Sequence, residues 1–404
     1  MKILRSTLAL VLMCATSLSL VAQQKERVLP VITTGKDATW YAQQYKLWDK
    51  EVKQHPKSED AWRNLFTAEF YLNNWFTEER PHLDSVNVVL QRMEQAIPGS
   101  FTYNYCVYKN YMDGTSQHAE RALQLMPRDA DLITVDCLLA YLWRTGADAD
   151  KGRRGAQFTA CAKKLYEGHY YPEYALRYND NQLLGLPENA IFLGNGDLEV
   201  LPKIVLQRAM NLHQGKTVVP SVFLYDERFR DSLCSQLRIQ PFRVNGESVD
   251  FDHFPFYFLD FIKYVSDETG RPIYFGPSVK YLEYFVVEEQ LELLKSCLYS
   301  EGLVQKYSPE PYDNTEASLR AIEKYKLDFF TDPNYTPKDE WEGSKNMQLH
   351  YMELLYPYIQ VYKDLGNMER AEWLRRTLRA SITNTNLDED AKNYYLPYLD
   401  DSEP

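Results

Sequence analysis

Asn189-Ala190-Ile191-Phe192-Leu193-Gly194-Asn195-Gly196-Asp197-Leu198-Glu199-Val200 stands near the middle of a chain of 404 residues. Ala190 to Leu193 is an apolar run that reads as a buried strand. Gly194 to Asp197 reads as a turn, and Leu198 to Leu212 keeps a helical pattern. Strand, glycine turn and helix in that order set a helix N-terminus at the carboxyl edge of a sheet. Open α/β sheets place their ligands at that edge. Asn195, Gly196, Asp197 and Glu199 are therefore the candidate ligand site.

The texture of residues 188–310 is built around this stretch. Thr217–Leu224, Arg271–Phe275 and Gly302–Tyr307 read as further strands, rich in β-branched and aromatic residues. Asp226–Leu237, Phe256–Val265 and Tyr284–Leu298 read as helices between them, and Arg243–Asp252 as a loop. Alternating strands and helices predict βαβ units and a small, mainly parallel sheet, with Ile191, Val222 and Ile273 on adjacent buried strands.

The flanks are helical. After a polar lead-in over 23–36, residues 37–187 repeat apolar positions at helical spacing. Tyr41, Tyr45, Trp48 and Val52 fall on one face, and Ser58 is placed to cap the next helix. Over 311–404, Leu354–Leu365, Gly366 and Met368–Ile382 read as a helical hairpin ahead of an acidic tail. Tyr362, Gly366 and Ala371 stand where a tetratricopeptide repeat has its aromatic, its turn and its small packing residue. The expected fold class is α/β plus all-α: a small sheet domain between tetratricopeptide-like helical hairpins.

Residues 1–22 read as a secretory signal: Lys2 and Arg5, an apolar run from Leu8 to Leu20, and Ala22 before the cleavage point. The expected location is periplasmic or secreted, with no transmembrane span once the signal is removed. The net charge of −12 comes without any lysine- or arginine-rich block, which argues against nucleic-acid binding. Cys106, Cys137, Cys161, Cys234 and Cys297 are odd in number and sparsely spaced, unlike a disulfide scaffold or a zinc site.

Chemistry is sparsely signalled. Asp197 and Glu199 would suit a metal or a general acid and base at a strand end, or equally a helix cap. Gly194 and Gly196 lack the spacing and the lysine of a phosphate loop. No GxSxG or HExxH occurs. Asp252-His253 ends a loop that would reach the sheet edge or simply face solvent. The 31 tyrosines would serve sugar stacking or helix packing, densest at Tyr103, Tyr105, Tyr108, Tyr111 and Tyr170-Tyr171. No metal and no cofactor is expected.

Several of these segments carry a resemblance. Asn189-Ala190, Gly196-Asp197, Arg271-Pro272-Ile273-Tyr274-Phe275 and Glu301-Gly302-Leu303-Val304 resemble the soluble C-terminal region of a Gram-negative family of glycosyltransferase-like transmembrane proteins of unknown function. The resemblance implies an α/β domain flanked by repeat helices, and an accessory role. Asp197-Leu198-Glu199-Val200 stands where that family has Asp-Asn-Asp-Thr, and its membrane-embedded half has no counterpart here, so sugar transfer is not implied. The expected function is a binding or scaffold protein that docks an envelope protein or glycan-linked partner. The alternative is a glycan-active or metal-assisted enzyme working at Asp197 and Glu199.

Overall fold

The structure, a computed structural model, describes residues 24–78, 85–112, 115–332, 341, 345–384 and 387–400; the expected signal at 1–22 lies outside them. The chain forms two compact units, divided between Arg128 and Asp129.

The first unit holds α1 (Ala38–Gln54), α2 (Glu59–Asn74), α3 (Val86–Ala96), α4 (Phe101–Tyr111) and α5 (Ser116–Leu125). Polar side chains start the first four of these helices by taking otherwise orphaned backbone donors. Asp37 accepts from Trp40 N at 2.8 Å, Ser58 from Ala61 N at 3.2 Å and Ser100 from Tyr103 N at 3.1 Å. The Tyr41, Tyr45, Trp48 and Val52 face is buried, as its spacing predicts. The polar lead-in is anchored on α1 and α2. Val28 N donates to Asn64 Oδ1 at 2.7 Å, Trp48 Nε1 to Glu26 O at 2.8 Å and the Tyr41 hydroxyl to Leu29 O at 2.7 Å.

The second unit begins with α6 (Leu132–Arg144), α7 (Arg153–Glu167) and α8 (Glu173–Gly185). Next come β1 (Ile191–Gly194), α9 (Asp197–Ala209), β2 (Thr217–Pro220), α10 (Glu227–Leu237), α11 (Phe258–Thr269) and β3 (Ile273–Phe275). It closes with α12 (Glu288–Ser296), β4 (Leu298–Glu301), β5 (Val304–Tyr307), α13 (Thr315–Lys324), α14 (Lys345–Leu355), α15 (Pro357–Asp364), α16 (Met368–Thr383) and α17 (Glu389–Tyr395). Helix α9 packs against α7, α8 and β2, while α8 also meets α13. Helices α15 and α16 pair across Gly366, whose φ of +73° suits glycine, and Tyr362 and Ala371 are buried between elements.

The five strands lie in the order β2-β1-β3-β5-β4. Ile191 is level with Thr217 and Ile273, and Leu193 with Val219 and Phe275, in two parallel pairings. The pairings of β5 with β3 and with β4 are antiparallel. The sheet is thus mixed rather than mainly parallel. The cause is β4, whose Leu298 end continues the helical texture of α12. Gly302, at φ +63°, then turns the chain back on itself as a hairpin.

Val222 also departs from expectation. Strand β2 stops at Pro220, which has no N–H to extend the ladder, and Val222 sits half-buried in a 3-10 turn over Ser221–Tyr225. Ile191 and Ile273 are buried on neighbouring strands as expected.

Candidate functional site

The chain leaves β1 and crosses to β2 on one side and β3 on the other, so the carboxyl end of β1 is a topological switch point. Asn195 and Gly196 form the turn there, and Asp197 opens α9. Gly196 has φ +86°, a conformation that favours glycine. The Asp197 side chain lies outside the described residues.

Glu199, one turn into the helix, is buried. Its Oε2 accepts from Asn195 N at 2.9 Å and from the Ser278 hydroxyl. Asn195 N also points at Ser278 Oγ, 2.8 Å away. The Ser221 hydroxyl donates to Gly194 O at 3.0 Å, tying the end of β2 to the same turn. Glu199 and Ser278 therefore occupy the crevice between the ends of β1 and β3. Two glycines give the carboxylate room. A Cβ on Gly276 would stand 2.1 Å from Glu199 Oε1, and one on Gly194 2.8 Å from Oε2.

Behind Glu199 lies a fully buried lysine. Lys203 Nζ donates to Asn179 Oδ1 at 2.5 Å, Gln182 Oε1 at 2.6 Å and Glu199 O at 2.7 Å. It also lies 4.1 Å from the centre of the Phe192 ring. Burial drives the Lys203 ammonium down to about 7, against the pull of Glu199. Burial likewise pushes the Glu199 carboxyl up, with Lys203 and the Ser278 bond acting the other way.

Pro202 explains part of this arrangement. It has no N–H to donate back to Leu198 O, and Asn179 Nδ2 supplies the missing donor at 2.9 Å. The polar chain continues through Gln182 Nε2 to the Tyr178 hydroxyl at 3.2 Å, and on to His350 Nδ1 at 3.1 Å. Burial lowers His350 to about 4, so its ring is neutral at ordinary pH.

Of the four sequence candidates, the turn brings Asn195 into contact with Glu199, while Gly196 faces solvent. Asn179, Gln182, Lys203 and Ser278 were not among the candidates. One signal pointed to the first two. Tyr178-Asn179-Asp180-Asn181-Gln182 sets four consecutive amide and acid side chains in mid-helix, and all four are buried. Such residues stay inside only when bonded.

Asp252 and His253 do not reach this edge: both are exposed, and His253 Nδ1 lies 2.7 Å from Asp250 Oδ1. The tyrosine groups are divided. Tyr105, Tyr108 and Tyr171 are buried in packing, and Tyr111 is exposed. A second polar cluster lies toward the opposite end of β2, where His213 Nε2 is 2.6 Å from Asp180 Oδ1 and Lys326 Nζ is 2.9 Å from Oδ2. Burial raises the Asp180 carboxyl, but the His213 and Lys326 bonds outweigh it and hold it low.

A cavity of about 440 Å³ opens beside the start of α7, lined by Asp148, Asp150, Lys151, Lys163 and Arg208. Asp150 already accepts the N–H groups of Gly152, Arg154 and Gly155 there. Among the described residues, no three His, Cys, Asp or Glu gather so as to hold a metal ion. Among the same residues, no helix is long and apolar enough to cross a membrane. No family model, no curated protein and no solved structure matches the chain.

Proposed function

We propose that this chain is an exported binding or scaffold protein that docks a protein or glycan-linked partner in the cell envelope. One observation carries the choice of binding over catalysis. The carboxylate that an enzyme would need at the switch point, Glu199, is buried and bonded to Asn195 N and Ser278, with Lys203 behind it. A general acid must reach its substrate within hydrogen-bonding distance. A carboxylate saturated by its own chain serves instead to fix the turn. Helical hairpins of tetratricopeptide type suit such a role, because they offer an extended face to partners. The resemblance to the soluble C-terminal region of a family of transmembrane proteins, and the accessory role it implies, agree with it.

The test is capture from the native envelope by cross-linking and mass spectrometry, using the parent, Asp197→Asn and Glu199→Gln. Equal capture by every variant that stays folded is expected. A variant that keeps the parent's melting temperature yet loses its partner, or loses a bound metal found in the parent, would replace this reading with an enzyme at the sheet edge.

A further inference from the structure

Two segments at the carboxyl side of the sheet expose aromatic rings. Phe251 is 66% exposed and Phe256 55%, in the segment before α11. Tyr284 is 72% exposed, with Tyr281 and Phe285 also open, in the segment after β3. Single exposed aromatics are ordinary on a surface, but a joined set is not. These are joined. The buried Tyr225 ring lies 5.6 Å from Phe251 and 6.2 Å from Phe285, and its hydroxyl donates to Phe285 O. Val287 N donates to Pro255 O at 3.4 Å, linking the two segments through their backbones.

The charge around these rings is mostly negative. Asp250, Asp252 and Glu283 are exposed within the two segments and Glu288 and Glu289 at the start of α12, against exposed Lys280 and, earlier in the first segment, Arg238 and the Asp231-bonded Arg243. His253 is turned onto Asp250. Lys280 itself lies 5.2 Å from the centre of the Tyr281 ring, so the chain already places one ammonium on an aromatic of this surface. Open rings favour cations on their faces, and the carboxylates favour the same charge at their edges. The same carboxylates repel an anionic lipid surface. Neutral sugars would gain the rings but nothing from this charge.

We propose that the surface carrying Phe251, Phe256, Tyr281, Tyr284 and Phe285 docks a segment of a partner protein bearing lysine or arginine among apolar residues. This rests on the binding reading above and names the kind of partner.

The experiment uses the full chain and a fluorescein-labelled peptide of alternating lysine and leucine, about a dozen residues long to span both segments. A matched peptide with glutamate for lysine and a neutral oligosaccharide serve as comparisons. The lysine peptide is expected to bind at least about tenfold tighter than the glutamate peptide and to weaken as salt rises. Phe251→Ala with Tyr284→Ala should weaken it about tenfold again, since aromatic anchors carry such interfaces. Glu283→Gln with Glu288→Gln should weaken it and flatten its salt dependence.

Carbodiimide cross-linking of the peptide to Glu283 or Glu288 in the unaltered chain gives a readout that needs no variant. Equal affinity for the two peptides, indifference to loss of Phe251 and Tyr284, preference for the oligosaccharide, or no cross-link to either glutamate would overturn the proposal. If envelope capture persists while the lysine peptide fails, this surface is wrong and the binding reading stands. If both fail, both fall.

Discussion

Glu199 lies in the space that a side chain at position 276 would need: a Cβ built on Gly276 would meet its Oε1 at 2.1 Å. Gly276 has φ −76°, an ordinary value, so the glycine is there for room and not for backbone freedom. Gly276→Ala should therefore push the carboxylate out of its bonds with Asn195 and Ser278, at a cost of about 1–3 kcal/mol. The coupled test is a double-mutant cycle with Glu199→Ala. The pair of changes should cost less than their sum, because the second removes the clash that the first creates. Additive costs in urea denaturation would refute the contact.

The sheet gives a sharper comparison within one strand level. Ile191 and Ile273 face each other across β1 and β3 and are buried, whereas Val222 is half-buried beyond the end of β2. Ile191→Ala and Ile273→Ala should each cost about 2–4 kcal/mol. Val222→Ala should cost under about 1 kcal/mol, since fewer of its atoms leave contact. A Val222 cost equal to the isoleucines would contradict the 3-10 turn.

Strands β1, β2 and β3 were legible because apolar runs bounded by Gly and Pro leave little choice of structure. Strand β4 was not: Leu298-Tyr299-Ser300-Glu301 follows directly on α12, and its strand character comes from pairing with β5 across Gly302. At the site, the turn Gly194 to Asp197 could be read locally. Its long-range partners could not, because Ser278, which bonds Glu199, lies 79 residues away, and Asn179, which bonds Leu198 O and Lys203, comes from the preceding helix α8. Nothing local distinguishes a buried Lys203 from a surface lysine at the same helical spacing. Only the amide run from Asn179 to Gln182 hinted that a donor was waiting inside.

His350 predicts an acid-sensitive fold. Its folded value of about 4 lies below the ordinary 6.5, because burial disfavours the charged ring. Between those values the unfolded chain takes a proton that the folded chain refuses. Stability therefore falls as pH drops from about 6.5 toward 4, by about 2–3 kcal/mol from this group. Above that window His350 contributes no slope. His350→Gln keeps an acceptor for the Tyr178 hydroxyl and removes the titration. Chemical denaturation between pH 4 and 7 should show a shallower acid loss in the variant, and matching slopes would count against a neutral, half-buried ring.

The last prediction concerns Lys203, whose sign is the same but whose window lies at higher pH. Its folded value of about 7 stands below the ordinary 10.5, chiefly through burial. Between about 7 and 10.5 the unfolded chain binds a proton that the folded chain lacks, so this group makes stability rise with pH across that window. Glu199 is raised instead, again chiefly through burial. A raised carboxyl contributes stability below its ordinary value of 4.5 and loses it as pH climbs from there through the folded value, the reverse of the lysine's slope.

Lys203→Met isolates the lysine. It removes the donor to Asn179 Oδ1, Gln182 Oε1 and Glu199 O, and it leaves Glu199 buried without its cation. Breaking a buried pair on one side costs about 3–5 kcal/mol near neutral pH. Lys203→Met with Glu199→Gln should recover part of that cost, because no lone charge remains inside. The measurement is urea denaturation at intervals from pH 7 to 10 for the parent and both variants. The parent should gain stability toward pH 10 relative to Lys203→Met, which lacks the titrating amine. If the two curves run parallel, or if Lys203→Met matches the parent's stability at pH 7, the lysine is neither strained by burial nor needed by Glu199, and the switch point would have to be held shut by Ser278 and the turn alone.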